Sequence, residues 1–350
     1  MNILSQWISQ EIVWVSIVGL LLLYVLEIRR SRYRNIQQIQ QLGELLTRED
    51  KKTFSDIYYS IFQLTVRDFP FSFYTSLDLG GLRSSGVPSI SKVLVATYQY
   101  TTNTEKRFED TDLFMREFIE NQPGSDRSLG ALGRISSFHQ HYKIRHDDIV
   151  YQLAVYIYEQ IRWINLYEWR ELLEVEKEAL FQFWFKEIGK GLGVSYEART
   201  WTFQELHQWF IQYEELNMVY SKYNAEVTDP FLDLYVTIAP KPFRGVLKRA
   251  ILQFMGERYY QACYGDLGPS TYEKLLNTCS GYLLFFLLKL RAVMVGNLFF
   301  PRQVTPRRTP KAANANDKYI PGWSKGPSCL YKSGYTLNDL GPCLRPRKNK

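Results

Sequence analysis

Cysteine and histidine are both scarce in this chain, and their spacing excludes several kinds of site. The 350 residues include four cysteines and four histidines, with no CxxC pair and no zinc-finger spacing. The signatures GxSxG, HExxH and CxxCH are also absent, which removes the usual signals of α/β-hydrolases, zinc proteases and c-type cytochromes. We expect the cysteines to be free thiols in a reducing compartment.

A positive charge excess is missing from most of the chain. The formal net charge is +7, from 43 Lys and Arg against 36 Asp and Glu. Residues 301–350 hold eleven of the basic and only two of the acidic residues, so the first 300 residues carry about −2. We therefore expect no nucleic-acid partner. The basic, proline-rich composition from Pro301 onward predicts a loosely ordered C-terminal tail over residues 301–350.

Long runs of alternating polar and apolar residues are scarce, which argues against a β-sheet. Apolar residues recur instead at helical spacing, as at Ile149, Leu153, Ile157, Ile161 and Ile164. With 45% hydrophobic residues, the chain is long enough to bury one large core. We predict an all-α fold with a single multi-helix domain over residues 35–300.

One hydrophobic run near the N-terminus is long enough to cross a bilayer. It extends over residues 12–28 and is broken only by Glu27. Four arginines follow it between residues 29 and 34, whereas residues 1–11 contain no Lys or Arg. The positive-inside rule then predicts a single-pass anchor over 12–28, a lumenal or exterior segment 1–11, and a cytosolic domain.

A second apolar run lies near the end of the predicted domain. Residues 282–288 are strongly apolar, but Lys289 and Arg291 interrupt the run. Because it is too short to cross a membrane alone, we predict a core helix or a face that rests on the membrane.

A single histidine among apolar helices is the clearest candidate for chemistry. Residues 128–143 form a predicted helix in which His139 flanks the apolar face and His141 falls on the opposite flank. Arg107 and Thr111 lie about thirty residues upstream, four residues apart and so on one helical face. These are the parts of a buried metal or heme site, although a structural or surface histidine is the alternative that the residues alone leave open.

Several segments resemble the MpaB-type endoplasmic-reticulum oxygenases. They are residues 86–97, Arg107–Thr111, Arg134–His139, 162–170, and the closing 334–337 and 340–342. The resemblance covers most of residues 35–345, and the block 134–170 is its most specific part. More distantly, the chain is similar to the latex-clearing rubber oxygenases, which are helical proteins carrying b-type heme. The resemblance therefore implies a fold of the rubber-oxygenase type behind the membrane anchor.

The resemblance implies a heme b site centred on His139, with this residue as the proximal iron ligand. Arg107 and Thr111 fall where the rubber oxygenases line the pocket beside the heme, and they would orient bound oxygen or water. Asp110 completes the expected catalytic set, although the rubber oxygenases have a basic residue at its position.

Two further residues are implied as partners of the heme. Arg134 and Lys143 would pair with the heme propionates, and solvated helix charges are the alternative for both.

The resemblance also implies a reaction. This is the oxidative cleavage of a carbon–carbon double bond in a prenyl or terpenoid side chain of a lipophilic metabolite. The alternatives are a heme-dependent hydroxylase or peroxygenase of a lipid-like metabolite, and a non-catalytic membrane-tethered scaffold. The expected partners are a lipophilic small molecule and the endoplasmic-reticulum membrane, while the need for an electron donor is left open.

Overall fold

The computed structural model describes residues 3–47, 54–265, 271–294, 318, 319, 321 and 329–342. Its α-helices are α1 (Ile3–Leu45), α2 (Phe54–Asp68), α3 (Pro70–Ser84), α4 (Pro88–Ala96), α5 (Gln99–Thr102), α6 (Thr104–Ile119), α7 (Asp126–Tyr142), α8 (His146–Tyr167), α9 (Glu174–Phe181), α10 (Gly189–Gly191), α11 (Tyr196–Arg199), α12 (Phe203–Asn217), α13 (Lys222–Tyr235), α14 (Arg244–Met255), α15 (Glu257–Tyr264) and α16 (Thr271–Met294). A π-helical turn spans Gln182–Ile188, and 3₁₀ turns span Val236–Ile238, Lys241–Phe243 and Leu337–Asp339. Within these ranges the β pairing is one isolated bridge between Tyr319 and Tyr335. The predicted all-α fold is confirmed.

The core is built around α8. Leu153, Ile157 and Ile164 of the predicted apolar stripe are buried, whereas Ile149 and Ile161 are partly exposed. Tyr151 and Ala154, which lie outside that stripe, are fully buried as well. The helix packs along α3 and also contacts α9, α12 and α16. Gly80 on α3 permits the close approach, because a Cβ there would lie 3.1 Å from a methyl group on α8. The central helix is therefore covered by other helices along its length.

Buried ion pairs fix how the central helices meet. The Arg83 guanidinium on α3 donates to both carboxylate oxygens of Glu214 on α12, at 2.6 and 2.7 Å. The Tyr151 hydroxyl on α8 donates to the same carboxylate at 2.8 Å. Because each charged group has partners on other helices, the geometry of α3, α8 and α12 is fixed where they cross.

The first helix is an extended arm. Its residues 12–26 are mostly exposed apolar side chains, and this part of α1 is long and apolar enough to cross a membrane. Beyond that stretch α1 packs on α2 and α9, where Ile39 is fully buried and the Asn35 amide donates to the Asp68 carboxylate. The apolar run and the first packed residues of the domain thus form one continuous helix.

Part of the predicted C-terminal tail is packed on the helical domain. Tyr335 and Leu340 are fully buried, and the Tyr335 hydroxyl donates to the Glu117 carboxylate on α6. Residues 329–342 therefore belong to the folded domain and not to a loosely ordered tail, because their aromatic side chains and backbone find carboxylate partners on α6. The proline-rich residues 301–317 lie outside the described residues.

Candidate active site

A largely apolar cavity of about 230 Å³ lies between α4, α6, α7, α8 and the π-helical turn. Its walls include the side chains of Leu94, Phe114, Met115, Phe118, Ile135, Leu153 and Trp184. Walls of this kind exclude water and bind apolar ligands, while a few polar groups set the ligand's orientation.

His139 lines this cavity from α7. Its Nδ1 atom is buried and has no hydrogen-bond partner in the part of the chain that the structure describes. Burial, and after it the positive charge of Arg107, lowers the pKa of the imidazole to about 4. The side chain is therefore neutral at pH 7, which is the protonation state that a metal ligand requires.

The other three histidines have structural surroundings. His141 packs edge-on against Tyr142, and His207 packs in the same way against Tyr158. The His146 Nε2 atom accepts a hydrogen bond from the Ser195 backbone N–H at 3.0 Å. The helix phase that favoured His139 over His141 thus agrees with the placement of His139 at the cavity.

Arg107 and Thr111 face the same cavity from α6. The Arg107 Nη1 donates to the Thr111 Oγ1 at 2.6 Å, and that hydroxyl donates to the Arg107 carbonyl oxygen at 2.9 Å. The Arg107 guanidinium also lies 5.8 Å from the centre of the Tyr100 ring. The structure therefore brings His139, Arg107 and Thr111 together at the cavity, whose largely apolar lining also includes Asp148 and Gln152.

Asp110 does not line the cavity. It is almost fully buried on another side of α6, since one residue along a helix turns the side chain by about 100°. Its carboxylate accepts hydrogen bonds from Lys106 at 2.8 Å, from the Tyr331 hydroxyl and from the Gly341 N–H at 3.0 Å. Asp110 thus holds the C-terminal segment on the domain.

Arg134 and Lys143 also lie away from the cavity wall. The Arg134 Nη2 donates to the carbonyl oxygens of Asn338 and Leu340 at 3.1 and 3.4 Å, and its guanidinium lies over the Phe138 ring. Lys143 is exposed at the C-terminal end of α7, where its backbone adopts a positive φ of 52°. Their pairing with heme propionates stays a prediction.

The C-terminal segment contributes to the cavity wall, which the sequence did not indicate. Gly341 and Pro342 line the cavity beside Phe138. Gly341 has a φ of +87°, and a Cβ at this position would overlap the Phe138 ring. Only glycine fits both requirements without strain. The Gly-Pro pair at 341–342 is a local signal of a turn, but it does not indicate which element the turn packs against.

A smaller space of about 50 Å³ adjoins the cavity through shared wall residues that include Thr111 and Tyr156. Asp78 on α3 faces it, and burial followed by the negative charge of Asp112 raises the pKa of Asp78 well above its ordinary value. Nothing in the sequence pattern pointed to this carboxyl, because an isolated aspartate in an apolar helix carries no spacing signal.

Comparison with known proteins establishes the family. No protein-family model matches the chain. The ER-bound oxygenase mpaB of Penicillium roqueforti (strain FM164) is 31% identical to it over 264 residues, which cover 70% of this chain and 86% of the relative. This chain belongs to the MpaB-type oxygenase family. The predicted resemblance and the prediction of an oxygenase are confirmed.

Two further MpaB-type relatives come from Penicillium brevicompactum. The ER-bound oxygenase mpaB' is 31% identical over 65% of this chain and 58% of its own length. The ER-bound oxygenase mpaB is 32% identical over 62% of this chain and 60% of its own length. The matched region thus spans less than two thirds of these two longer proteins.

Proposed function

We propose that this protein is a membrane-anchored, heme-dependent oxygenase that cleaves a carbon–carbon double bond in the prenyl or terpenoid side chain of a lipophilic metabolite. The observation that carries the proposal is His139, whose neutral imidazole has an unpartnered buried nitrogen in an apolar cavity. Arg107 and Thr111 supply the polar edge of the same cavity.

The donor set of the cavity fits a heme. A single histidine is enough to hold a heme, since the porphyrin already binds the iron. Among the described residues, no three His, Cys, Asp or Glu side chains form a group that could hold a metal ion by themselves. His139 would hold the heme, and a bound heme would supply the chemistry that activates dioxygen.

The residues of the chain would position the reactants. Arg107 can donate hydrogen bonds from its remaining N–H groups to an oxygen species in the cavity, where low polarity strengthens such bonds. Thr111 donates its one hydroxyl proton to the Arg107 carbonyl oxygen and accepts from the guanidinium, so its role would be to orient Arg107. The apolar walls would bind the alkene and exclude water. Cleavage adds one oxygen atom of dioxygen to each alkene carbon and yields two carbonyl groups, so it needs no electron donor. Hydroxylation of the intact chain would consume two electrons from a donor.

We further propose that α1 anchors the protein in the endoplasmic-reticulum membrane. Two observations support this location, the exposed apolar stretch of α1 and the ER-bound names of the relatives. The arginines at 29, 30, 32 and 34 follow the stretch, so the N-terminus would be lumenal and the domain cytosolic. A substrate dissolved in the bilayer would then lie near the domain.

A visible spectrum tests the heme and its ligand. The full-length protein, solubilised in detergent and supplied with heme, is expected to show a Soret band. His139→Ala should shift or abolish the band, and added imidazole should restore it by entering the vacated space. His207→Ala is the matched control and should leave the band unchanged. A wild-type protein that shows no Soret band and contains no iron would contradict the proposed heme. A Soret band that His139→Ala leaves unchanged would contradict His139 as the ligand.

Product analysis tests the reaction. The heme-loaded protein would be incubated with a panel of prenyl-chain lipids under ¹⁸O₂, and the products would be reduced with borohydride before they exchange oxygen with water. Two fragments that each carry one ¹⁸O atom are expected. A single product with an intact carbon skeleton and one ¹⁸O atom would show that the reaction is hydroxylation and not cleavage.

A further inference from the structure

The helix α16 carries an exposed apolar stripe along its length. The stripe consists of Leu275, Tyr282, Leu283, Phe286, Leu290 and Val293, whose side chains are between 43% and 73% exposed. Apart from the adjacent pair Tyr282 and Leu283, they are spaced three, four or seven residues apart, which places them on one helical face. Lys289, three residues after Phe286 and four before Val293, flanks this face, but its ammonium group is turned to the domain, so the stripe itself is apolar.

The opposite face of α16 is packed on the domain. It contacts α14 and α8, and Leu288 and Ala292 are buried there. The two charged residues that interrupt the apolar sequence also point to the domain, because Lys289 donates to the Glu168 carbonyl oxygen at 3.0 Å and Arg291 donates to the Glu168 carboxylate at 2.5 Å. The apolar stripe is thereby kept free of charge.

The C-terminal end of α16 meets α1 where its apolar stretch ends. The Arg32 guanidinium, four residues after Ile28, donates to the Ala292 carbonyl oxygen at 2.5 Å. The same guanidinium lies 4.7 Å from the centre of the Trp169 ring. These two contacts, with Ala292 and with Trp169, hold the Arg32 side chain in place. They therefore fix the end of α16 beside the point where α1 would leave the bilayer.

We propose that the apolar stripe of α16 rests in the surface of the bilayer that holds α1 and gives the domain a second membrane contact. A bilayer is the occupant that the structure favours, because the stripe is continuous with the anchor through the Arg32–Ala292 contact. By length and composition α16 could cross a membrane. Its packed face argues for a helix that lies in the interface instead, with one apolar side in lipid.

The inference rests on the proposed anchoring by α1, and fluorescence quenching in vesicles separates the two. Full-length protein with Cys279→Ser and Cys343→Ser would carry Phe286→Cys labelled with a small fluorophore. Glu197→Cys, an exposed polar position on the domain, is the matched control. Both proteins would be reconstituted into phosphatidylcholine–phosphatidylserine vesicles, and flotation would report the anchoring.

The expected result is quenching of the label at position 286 by acyl-chain spin labels at least threefold stronger than at position 197, with the reverse order for aqueous iodide. Equal access of iodide to both labels would overturn the inference. A label at position 286 that is shielded from both quenchers would also overturn it. Energy transfer between labelled copies would then indicate a dimer contact, and no energy transfer would indicate that another part of the chain covers the stripe. A protein that does not float overturns the anchoring and this inference together.

Discussion

The neutral imidazole of His139 is the feature of the site that can be tested most directly. Burial and the charge of Arg107 lower its pKa to about 4, whereas an unperturbed histidine has a pKa of about 6.5. At about 1.4 kcal/mol per unit, this difference corresponds to a cost on the order of 3 kcal/mol for protonating His139 in the folded state.

The sign of the effect on stability follows from the lowered pKa. Between about pH 6.5 and pH 4 the unfolded chain binds a proton at His139 and the folded protein does not, so the free energy of unfolding falls as the pH falls. His139→Gln, which cannot titrate, should remove this part of the pH dependence. The difference between wild type and variant should grow to at most roughly 3 kcal/mol near pH 4.

Histidine NMR measures the pKa itself. Heme-free, full-length protein in detergent micelles, labelled with ¹³C and ¹⁵N in its four histidines, would be titrated from pH 8 to pH 5. The resonance that disappears in His139→Gln identifies the residue, and it should not shift over this range. A midpoint near pH 6.5 for that resonance would refute the argument from burial and from Arg107.

Three further changes probe the surroundings of the site. Gly341→Ala places a side chain at φ +87° against the Phe138 ring, so it should lower stability by roughly 1–2 kcal/mol in thermal unfolding and weaken heme retention in Soret absorbance. Unchanged values of both would contradict the contact of Gly341 with Phe138 in the cavity wall. Tyr335→Phe leaves the Glu117 carboxylate without one buried partner and should lower stability by roughly 1–2 kcal/mol in thermal unfolding, whereas no change would show that the C-terminal segment is not held there. Burial raises the pKa of Asp68 to about 6, so its contribution to stability is lost as the pH rises from about 4 to 6, opposite in sign to the contribution of His139. The free energy of unfolding of the wild type minus that of Asp68→Asn, measured in denaturant titrations, should therefore fall over this range, and a constant difference would refute the argument.

The helical fold and the inward histidine could be predicted because both depend on local order in the chain. Helical spacing decides which side chains share a face, and it separated His139 from His141 before any neighbour was known. The spacing of Arg107 and Thr111 likewise predicted a shared face, and the two side chains are hydrogen-bonded to each other. The apolar stretch of α1 was predicted from length and composition alone.

The role of Asp110 could not be predicted, because it depends on which element packs against each side of α6. The residue stands next to Thr111 in sequence, yet its carboxylate holds Tyr331 and Gly341, more than two hundred residues away. The contribution of the C-terminal segment was hidden for a related reason. A composition averaged over residues 301–350 describes the many basic and proline residues and conceals the short stretch 329–342 that packs on the domain.

The sequence by itself thus determined the class of fold, the apolar stretch of α1 and the inward histidine, since hydrophobic periodicity and run length act over a few turns of helix. Only the tertiary structure decided that Gly341 and Pro342 line the cavity, that Asp110 is turned away from it, and that Arg32 meets the end of α16. Contacts between residues far apart in the chain depend on how whole helices pack against each other, so they cannot be predicted from the spacing of residues within one helix.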